Sequence, residues 1–164
     1  MDKNTPAVEA TQFVTLGIGR ELFGIEVGVV QEILDFRPIT PLPHTPAYLL
    51  GMIDVRGATV AVLDLRAKLG LPRTDVDEHT RILVLELNLP RGRGLLGLVA
   101  DRVCEVAELD GGLMEAPPEI GIHWRSDYIR GVGRRGEAFV VIFSLDRLIS
   151  SEDSALIPIA QDAA

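Results

Sequence analysis

The chain has 164 residues and a hydrophobic fraction of 47%, which suits one domain or two small subdomains packed as a unit. Its formal net charge is −8, and without a basic stripe it is not expected to bind the phosphates of DNA or RNA or an anionic membrane surface. No stretch approaches the ~18 consecutive apolar residues of a membrane-spanning helix, and the polar start lacks the pattern of a signal peptide, so the sequence predicts a cytoplasmic protein.

Short apolar runs separated by glycine and proline dominate the chain, a pattern typical of strands and turns. Residues 1–10 are polar and are predicted to be a flexible N-terminus. The predicted elements, in chain order, are a hairpin over 13–25, a short helix of roughly two turns over 29–34, an extended proline-rich connector over 38–46, a hairpin over 49–65 turned at Arg56-Gly57, a helical turn over 66–69, a hairpin over 82–100, a strand over 103–109, a loop with Pro117 and Pro118, and a hairpin over 128–145.

An internal repeat is the most informative feature of the sequence. Residues 22–25 (LFGI) align with residues 95–98 (LLGL), and the register continues without a gap for several more positions. Further along, residues 48–52 (YLLGM) align with residues 128–132 (YIRGV). Two blocks that recur in the same order indicate two halves built to one plan, with loops of unequal length.

Each half holds about five short strands, which are enough for a small closed barrel without exposed strand edges. We therefore predict a mainly β fold of two five-stranded β-barrel subdomains packed together, with short helices. The domain is expected to span residues 11–150, with a divide near 70–80 that leaves room for an exchange of segments. Residues 151–164 are polar and small and are predicted to be a flexible C-terminal tail.

Side chains that could perform catalysis or hold a metal are scattered. His44, His79 and His123 lie in separate predicted loops, at spacings that suit no metal pair. Cys104, the single cysteine, stands in an apolar strand-like run and belongs to no nucleophile motif. The sequence therefore predicts a binding protein with no cofactor, no metal and no enzymatic activity.

Several motifs follow one another at fixed places along the chain. They are FVTL at 13–16, LFGI at 22–25, VQEI at 30–33, GMIDVRG at 51–57, VLDLR at 62–66, the segment 97–106, and YIRG at 128–131. This ordered series resembles the CheW family of chemotaxis coupling proteins and covers about residues 11–150. The resemblance implies two five-stranded barrels of SH3-like type and a scaffolding role without catalysis.

The resemblance also implies which partners to expect. These are the cytoplasmic tip of a chemoreceptor (a methyl-accepting chemotaxis protein) and the regulatory domain of a CheA-like histidine kinase, with other copies of the adaptor as a further candidate. The protein would then join membrane receptor arrays through its partners, with no nucleic acid and no direct membrane insertion. The sequence does not assign the residues of the kinase-binding face.

A chemoreceptor tip is an antiparallel helical hairpin, so we expect it to be recognised by a groove that takes an amphipathic helix. The seam between the two barrels offers such a groove. Val30 and Ile33, three residues apart on the predicted short helix, are predicted to line it as receptor-binding residues. The alternative is that both side chains fill the core of the first barrel.

Arg56 and Gly51 complete the predicted receptor site. Arg56 resembles the arginine of the family's Asn-Leu-Arg-Gly turn, which is implicated in receptor contact, and beside Gly57 its guanidinium can donate to carboxylates or helix carbonyls. The alternative for Arg56 is an ordinary surface ion pair. Gly51 matches a position that the family associates with receptor coupling, and the alternative is a purely structural glycine that admits a close backbone approach or a bulge.

Three residues depart from the family pattern: Asp54, Ala61 and Arg81 stand where asparagine, proline and an apolar residue are common. They leave the identity of the partner open, and a coupling protein of another chemosensory pathway, such as surface motility or development, is the first alternative. A small β-barrel enzyme or ligand-binding protein is the second. That alternative requires a polar pocket with perturbed titratable groups.

Overall fold

The computed structural model describes residues 12–114 and 128–159. The predicted flexible N-terminus (1–10), the loop with Pro117 and Pro118, His123 and residues 160–164 lie outside the described residues. The described strands are β1 Phe13–Ile18, β2 Glu21–Glu26, β3 Val30–Asp35, β4 Leu49–Val55, β5 Ala58–Asp64, β6 Arg81–Leu89, β7 Gly92–Ala100, β8 Arg102–Ala107, β9 Asp110–Met114, β10 Ile129–Arg135 and β11 Ala138–Phe143. The helices are a 3-10 turn at Val27–Val29, α1 Leu65–Lys68, α2 Leu145–Leu148 and α3 Ser151–Ala155.

The strands form two sheets. One is six-stranded with the order β8-β1-β2-β11-β10-β9, and the other is five-stranded with the order β3-β6-β7-β5-β4. The predicted mainly β fold of two small SH3-like subdomains with short helices is confirmed. The sixth strand, β9, is an addition to the predicted five in that sheet.

Each half of the sequence contributes strands to both sheets. The predicted divide near residues 70–80 falls in the loop between α1 and β6. Strands β1 and β2 of the first half belong to the six-stranded sheet, with β8 to β11 of the second half. Strands β6 and β7 of the second half belong to the five-stranded sheet, with β3, β4 and β5 of the first half. Both joins are parallel: Gly24 lies opposite Ile142 in the β2–β11 pair, and Gly97 lies opposite Val62 in the β7–β5 pair. Residues that the repeat aligns therefore occupy matching places in the two sheets.

The predicted helix over 29–34 is wrong. Only Val27–Val29 forms a 3-10 turn, and Val30–Asp35 is strand β3, paired antiparallel with β6. A register shift between Val30 and Glu32 explains the misleading pattern. Because one residue is inserted into the alternation of a strand, apolar residues recur at intervals that imitate a helical turn.

The predicted flexible tail is wrong for residues 151–159. Ser150 and Asp153 form a reciprocal capping box at the start of α3, and Ile159 bridges to Gly94 of β7. Asp153 and Ile157 are buried, with 5% and 2% of their surface exposed. Polar composition misled the prediction, because it does not reveal that one carboxylate finds a buried partner.

The apolar core has three parts, one inside each sheet and a larger one along the seam between them. Strand β6 contributes to two of these parts. Ile82 and Val84 face the interior of the five-stranded sheet, whereas Leu83 and Leu85 face the seam. Since both faces of β6 are buried, its sequence is a continuous apolar run rather than an alternation. The two subdomains thus share one continuous interface.

Candidate partner-binding surfaces

A groove of about 610 Å³ follows the seam between the two sheets. Its apolar lining includes Ile25, Val29, Leu87, Leu89, Phe143 and Leu145. They come from β2, the 3-10 turn, β6, β11 and α2, so the groove exists only because the two sheets pack together. A concave apolar floor of this kind suits the apolar face of an amphipathic helix.

Polar groups form the rim of the groove. Arg130 of β10 donates to the Glu26 carboxylate at 2.9 Å, and both side chains remain about half exposed. Ser150, Ser151 and Ser154 also line the groove. An apolar floor with a polar, solvated rim is the usual anatomy of a protein–protein contact.

Val30 and Ile33 do not line this groove, whereas their neighbour in the chain, Val29, does. Val30 pairs with Leu85 and Ile33 pairs with Leu83, both of which face the seam, so the two residues share the seam face of β3. Val30 is half-buried against the seam core, whereas Ile33 is 42% exposed. Of the two, Ile33 is the one whose side chain a partner can reach.

Arg56 lies at the tip of the β4–β5 hairpin. Both turn residues have positive φ, 51° at Arg56 and 86° at Gly57, as hairpin turns of type I′ require. The guanidinium donates two hydrogen bonds, of 2.6 and 2.8 Å, to the Glu32 carboxylate of β3, while 73% of the arginine side chain remains exposed. Because β3 and β4 are the two edges of the five-stranded sheet, this ion pair joins its edges at the surface.

Gly51 is buried in β4 beneath the connector that follows β3. Its φ is +147°, and the next residue, Met52, exchanges two backbone hydrogen bonds with Thr40 at 2.8 and 2.9 Å. A Cβ on Gly51 would overlap the Thr40 carbonyl group and lie 2.8 Å from the Cα of Pro41. This geometry favours the structural alternative for Gly51.

A buried polar cluster lies where α1 meets α3. The Lys68 ammonium donates to Asp153 at 2.8 Å, with side-chain exposures of only 7% and 5%, and the Tyr48 hydroxyl donates to the second Asp153 oxygen at 2.6 Å. The ammonium also lies over the rings of Tyr48 and Tyr128, at 4.2 and 5.8 Å from their centroids. Every acceptor oxygen of Asp153 therefore has a donor.

Burial and hydrogen bonding act in opposite directions on this cluster. Burial alone would raise the pKa of Asp153, but hydrogen bonds from Lys68, Tyr48 and the Ser150 N–H outweigh it and hold that pKa below its usual value. Burial alone would lower the pKa of Lys68, yet the hydrogen bond and charge of Asp153 raise it. Burial and Asp153 together raise the pKa of the Tyr48 hydroxyl. The pair is thus charged at neutral pH and serves structure.

A second ion pair fixes the point where the chain crosses between the sheets. Arg66 of α1 donates twice to Asp101, at 3.0 and 2.7 Å, and the Gly19 N–H of the β1–β2 turn donates to the same carboxylate at 2.7 Å. Burial would raise the pKa of Asp101, but these hydrogen bonds lower it. The Asp101 hydrogen bond raises the pKa of Arg66. Both subdomains are thereby tied together at this corner.

No group of three His, Cys, Asp or Glu side chains within residues 12–114 and 128–159 is placed to hold a metal ion. His44 and His79 are exposed in loops. Cys104 is exposed on β8, in contrast to the apolar setting that its sequence neighbours indicate. In the part of the chain that the structure describes, no helix combines the length and apolar character needed to cross a membrane.

Sequence reasoning missed most of the residues that build the groove. Arg130 falls within the YIRG motif, which marked its position but gave it no role, and Phe143 and Leu87 looked like ordinary strand residues. Lys68 and Asp153 carried no signal, since each is a common surface residue type and 85 positions separate them. Their partnership depends on the tertiary fold.

Comparisons with known proteins agree along nearly the whole chain. The family model of the CheW-like domain matches residues 12–153. The chemotaxis protein CheW of Klebsiella aerogenes is 31% identical over 146 residues, which are 89% of this chain and 86% of that protein. The probable chemotaxis protein CheW of Rhizobium etli is 29% identical over 143 residues, covering 87% of this chain and 90% of the relative.

A solved structure gives the same result for the fold. The crystal structure of the scaffolding protein TtCheW from Thermoanaerobacter tengcongensis superimposes with a TM-score of 0.76 and 25% sequence identity. The match covers 90% of this chain and 94% of that one. The arrangement of two exchanged sheets is therefore shared along almost the full length of both proteins.

Proposed function

We propose that this chain, which belongs to the CheW-like domain family, is a non-catalytic coupling adaptor of chemotaxis that joins chemoreceptor cytoplasmic tips to a CheA-like histidine kinase. The observation that carries the proposal is the seam groove, an apolar floor with a polar rim between two SH3-like subdomains. Relatives that bear the name chemotaxis protein CheW favour chemotaxis over another chemosensory pathway. The protein acts in the cytoplasm, held at receptor arrays by its partners.

The groove matches the shape of the proposed receptor partner. A receptor tip is a pair of antiparallel helices, and one helix can lay its apolar face on Val29, Leu89 and Leu145. The Glu26–Arg130 pair at the rim offers both a carboxylate and a guanidinium to polar groups flanking that face. A groove of mixed charge fixes the orientation of the helix more than it adds affinity.

Ile33 and Arg56 extend the proposed receptor surface along β3. Ile33 supplies an exposed apolar side chain on the seam face, and Arg56 is held at the surface by Glu32 with guanidinium N–H groups still open to solvent. Val30 and Gly51 support this surface from beneath, Val30 by packing and Gly51 by admitting the connector at Thr40.

The adaptor is proposed to work by scaffolding. Each contact with a receptor tip, with the regulatory domain of the kinase or with another adaptor copy can be weak when several form in one array. Linking the contacts raises the effective concentration of each partner near the others, so the assembly persists without one large interface. Coupling then requires that a receptor state change the geometry of the kinase through the adaptor.

Co-sedimentation with receptor-containing membranes tests the proposal. We expect Arg56→Glu and Val29→Glu to reduce the sedimenting fraction strongly, because one places a carboxylate beside Glu32 and the other places a charge on the groove floor. The matched controls are Arg135→Glu, at the exposed ion pair with Glu105 in the other sheet, and Val76→Glu, at an exposed loop valine.

The two arginine variants should keep the fold, since exposed ion pairs contribute only about 0.2–1 kcal/mol, and so should Val76→Glu, because Val76 is exposed. Val29 is half-buried against the seam core, so Val29→Glu is assayed at a temperature where the variant remains folded. Circular dichroism and urea unfolding verify this. Loss of binding in the first two variants alone supports the proposal. Unchanged sedimentation of Arg56→Glu removes Arg56 from the site, and unchanged sedimentation of both Arg56→Glu and Val29→Glu contradicts a receptor contact at this face.

A further inference from the structure

The segment from Ser150 to Ile159, which we call the clasp, crosses from one sheet to the other. It follows α2, which belongs to the six-stranded side, and it ends at a bridge between Ile159 and Gly94 of β7 in the five-stranded sheet. Between these points it forms the short helix α3. The clasp therefore connects the two sheets across the seam.

The first fastening of the clasp is the buried ion pair. Asp153 is its only ionisable side chain that is buried, and it meets Lys68 of α1 and the hydroxyl of Tyr48 at 2.8 and 2.6 Å. The same carboxylate accepts a hydrogen bond from the Ser150 N–H at 3.1 Å. One side chain thus closes the start of α3 and attaches it to the five-stranded side.

The second fastening lies at the β6–β7 turn. Arg91 donates to the backbone carbonyls of Ser154 and Ile157 at 2.7 and 2.9 Å. Gly94 lets the clasp lie directly on β7, because a Cβ there would approach Ile157 Cγ2 to 2.9 Å and the Pro158 carbonyl oxygen to 3.2 Å, besides Leu89 Cδ1 of β6 at 2.6 Å. Both contacts hold the clasp by its backbone.

The clasp also builds part of the groove. Ser150, Ser151 and Ser154 line the groove together with Glu26 and Arg130. Within the clasp, only Asp153 and Ile157 are buried. A segment with so few buried side chains opens at a lower free energy than the sheets it covers.

We infer that the clasp opens and closes as a unit, that its closed position supplies one wall of the seam groove, and that Lys68, Asp153 and Arg91 are positioning residues for the helix bound there. The identity of that helix rests on the proposed function. A partner that binds only the closed form must hold the clasp shut, since a ligand shifts an equilibrium by its differential affinity for the two states.

Hydrogen exchange measured by mass spectrometry on the full chain tests whether the clasp opens as a unit. The amide of Ser154 donates to the Ser150 carbonyl and that of Leu156 to the Asp153 carbonyl, so both report on the clasp. We expect Arg91→Ala and Gly94→Ala each to speed exchange of these amides about tenfold, because Arg91→Ala removes a fastening and the Cβ of Gly94→Ala pushes on Ile157 and Pro158 as well as on the end of the Leu89 side chain.

Two matched controls should leave this exchange unchanged. Arg81→Ala removes an arginine that, like Arg91, donates to two backbone carbonyls, those of Glu78 and Thr80, at the far end of β6. Gly28→Ala adds a Cβ where nothing lies within 4 Å. Faster exchange throughout the chain in Arg91→Ala and Gly94→Ala, or unchanged exchange in the clasp, overturns the inference that the clasp is a separate unit.

Adding a soluble receptor-tip helical hairpin to the wild-type chain tests whether the closed clasp forms a wall of the groove. At a free concentration of about 100 times its Kd, exchange of Ser154 and Leu156 should slow by up to about a hundredfold if opening abolishes binding. Binding without any such slowing overturns the role of the clasp as a groove wall. No binding at all contradicts the proposed receptor function instead. In that case, faster exchange confined to the clasp in Arg91→Ala and Gly94→Ala still supports the inference that the clasp opens as a unit.

Discussion

The two sheets place different residues at positions that the repeat makes equivalent. Helix α1 follows β5 in one sheet and α2 follows β11 in the other, and their last residues, Lys68 and Leu148, correspond. Lys68 holds a buried ion pair with Asp153, whereas Leu148 is fully buried in the seam core. Residues 150–159 cover α1, through the contact of Asp153 with Lys68. Of these two equivalent positions, the one that carries an ammonium is therefore the one over which residues 150–159 place a carboxylate.

The surface turns of the two sheets differ far less. Arg56 of the β4–β5 hairpin binds Glu32 on edge strand β3, and Arg135 of the β10–β11 hairpin binds Glu105 on edge strand β8. Both pairs connect a hairpin end to an edge of its own sheet. Because the pair recurs in both sheets, its presence alone does not identify a partner site, and the Arg56 and Arg135 variants have to be compared directly.

The largest expected effect would come from making the two helices alike. Lys68→Leu puts the Leu148 residue type at the equivalent position and leaves Asp153 buried without its cation, which should lower the free energy of unfolding by about 3–5 kcal/mol. Lys68→Leu combined with Asp153→Asn should lose much less, because both charges are gone and asparagine can still cap α3. Urea unfolding measures both, and a Lys68→Leu loss below about 1 kcal/mol would contradict the structural importance of the pair.

A smaller effect is expected where the backbones of the two sheets differ. Gly51 and Gly131 are equivalent and both follow a register shift, but of the two only Gly51 has a positive φ, where Thr40 crosses above it. Gly51→Ala should cost about 3 kcal/mol through backbone strain and overlap. Gly57→Ala in the adjoining turn, with φ +86° and open space, should cost about 1 kcal/mol.

Thermal or urea unfolding compares these two glycine variants. Equal losses would show that the connector at Thr40 adjusts to a Cβ, and the structural account of Gly51 would then fail. A receptor-binding assay on Gly51→Ala is informative only at a temperature where the variant remains folded.

The smallest effect on stability should come from titration of the Asp153–Lys68 pair. The pKa of Asp153 is lowered on folding, so its stabilisation is present above the unfolded-state pKa of about 3.9 and is lost as the pH falls through the folded-state pKa. The pKa of Lys68 is raised, so its share is present below about 10.4 and is lost as the pH rises through its folded-state pKa.

Unfolding free energies measured from pH 3 to pH 7 check the acid limb. Asp153→Asn should flatten that limb, and Asp101→Asn should remove a separate part of it, since the pKa of Asp101 is also lowered. An identical slope in wild type and Asp153→Asn would contradict a charged Asp153 in the folded state.

Local pattern and repetition in the sequence determined the strands, the hairpins and the plan of two similar halves. Runs such as Ile82 to Leu87 predicted strands because apolar β-rich segments between turn residues have few other stable structures. Arg56-Gly57 predicted its turn because positive φ at both central residues favours glycine and is otherwise rare. The ordered motifs were sufficient to indicate the family, since they fix the spacing of these strands.

Tertiary structure alone decided which strands meet and which side chains line the groove. Pairing across the exchange places β2 beside β11, and no local pattern records that choice because either half could satisfy the same hydrogen bonds. The bulge at Val30 turned an expected helix into a strand, and the partnership of Lys68 with Asp153 turned an expected loose tail into a fixed wall. Both outcomes depend on long-range contacts, whose energy appears only when distant segments are brought together.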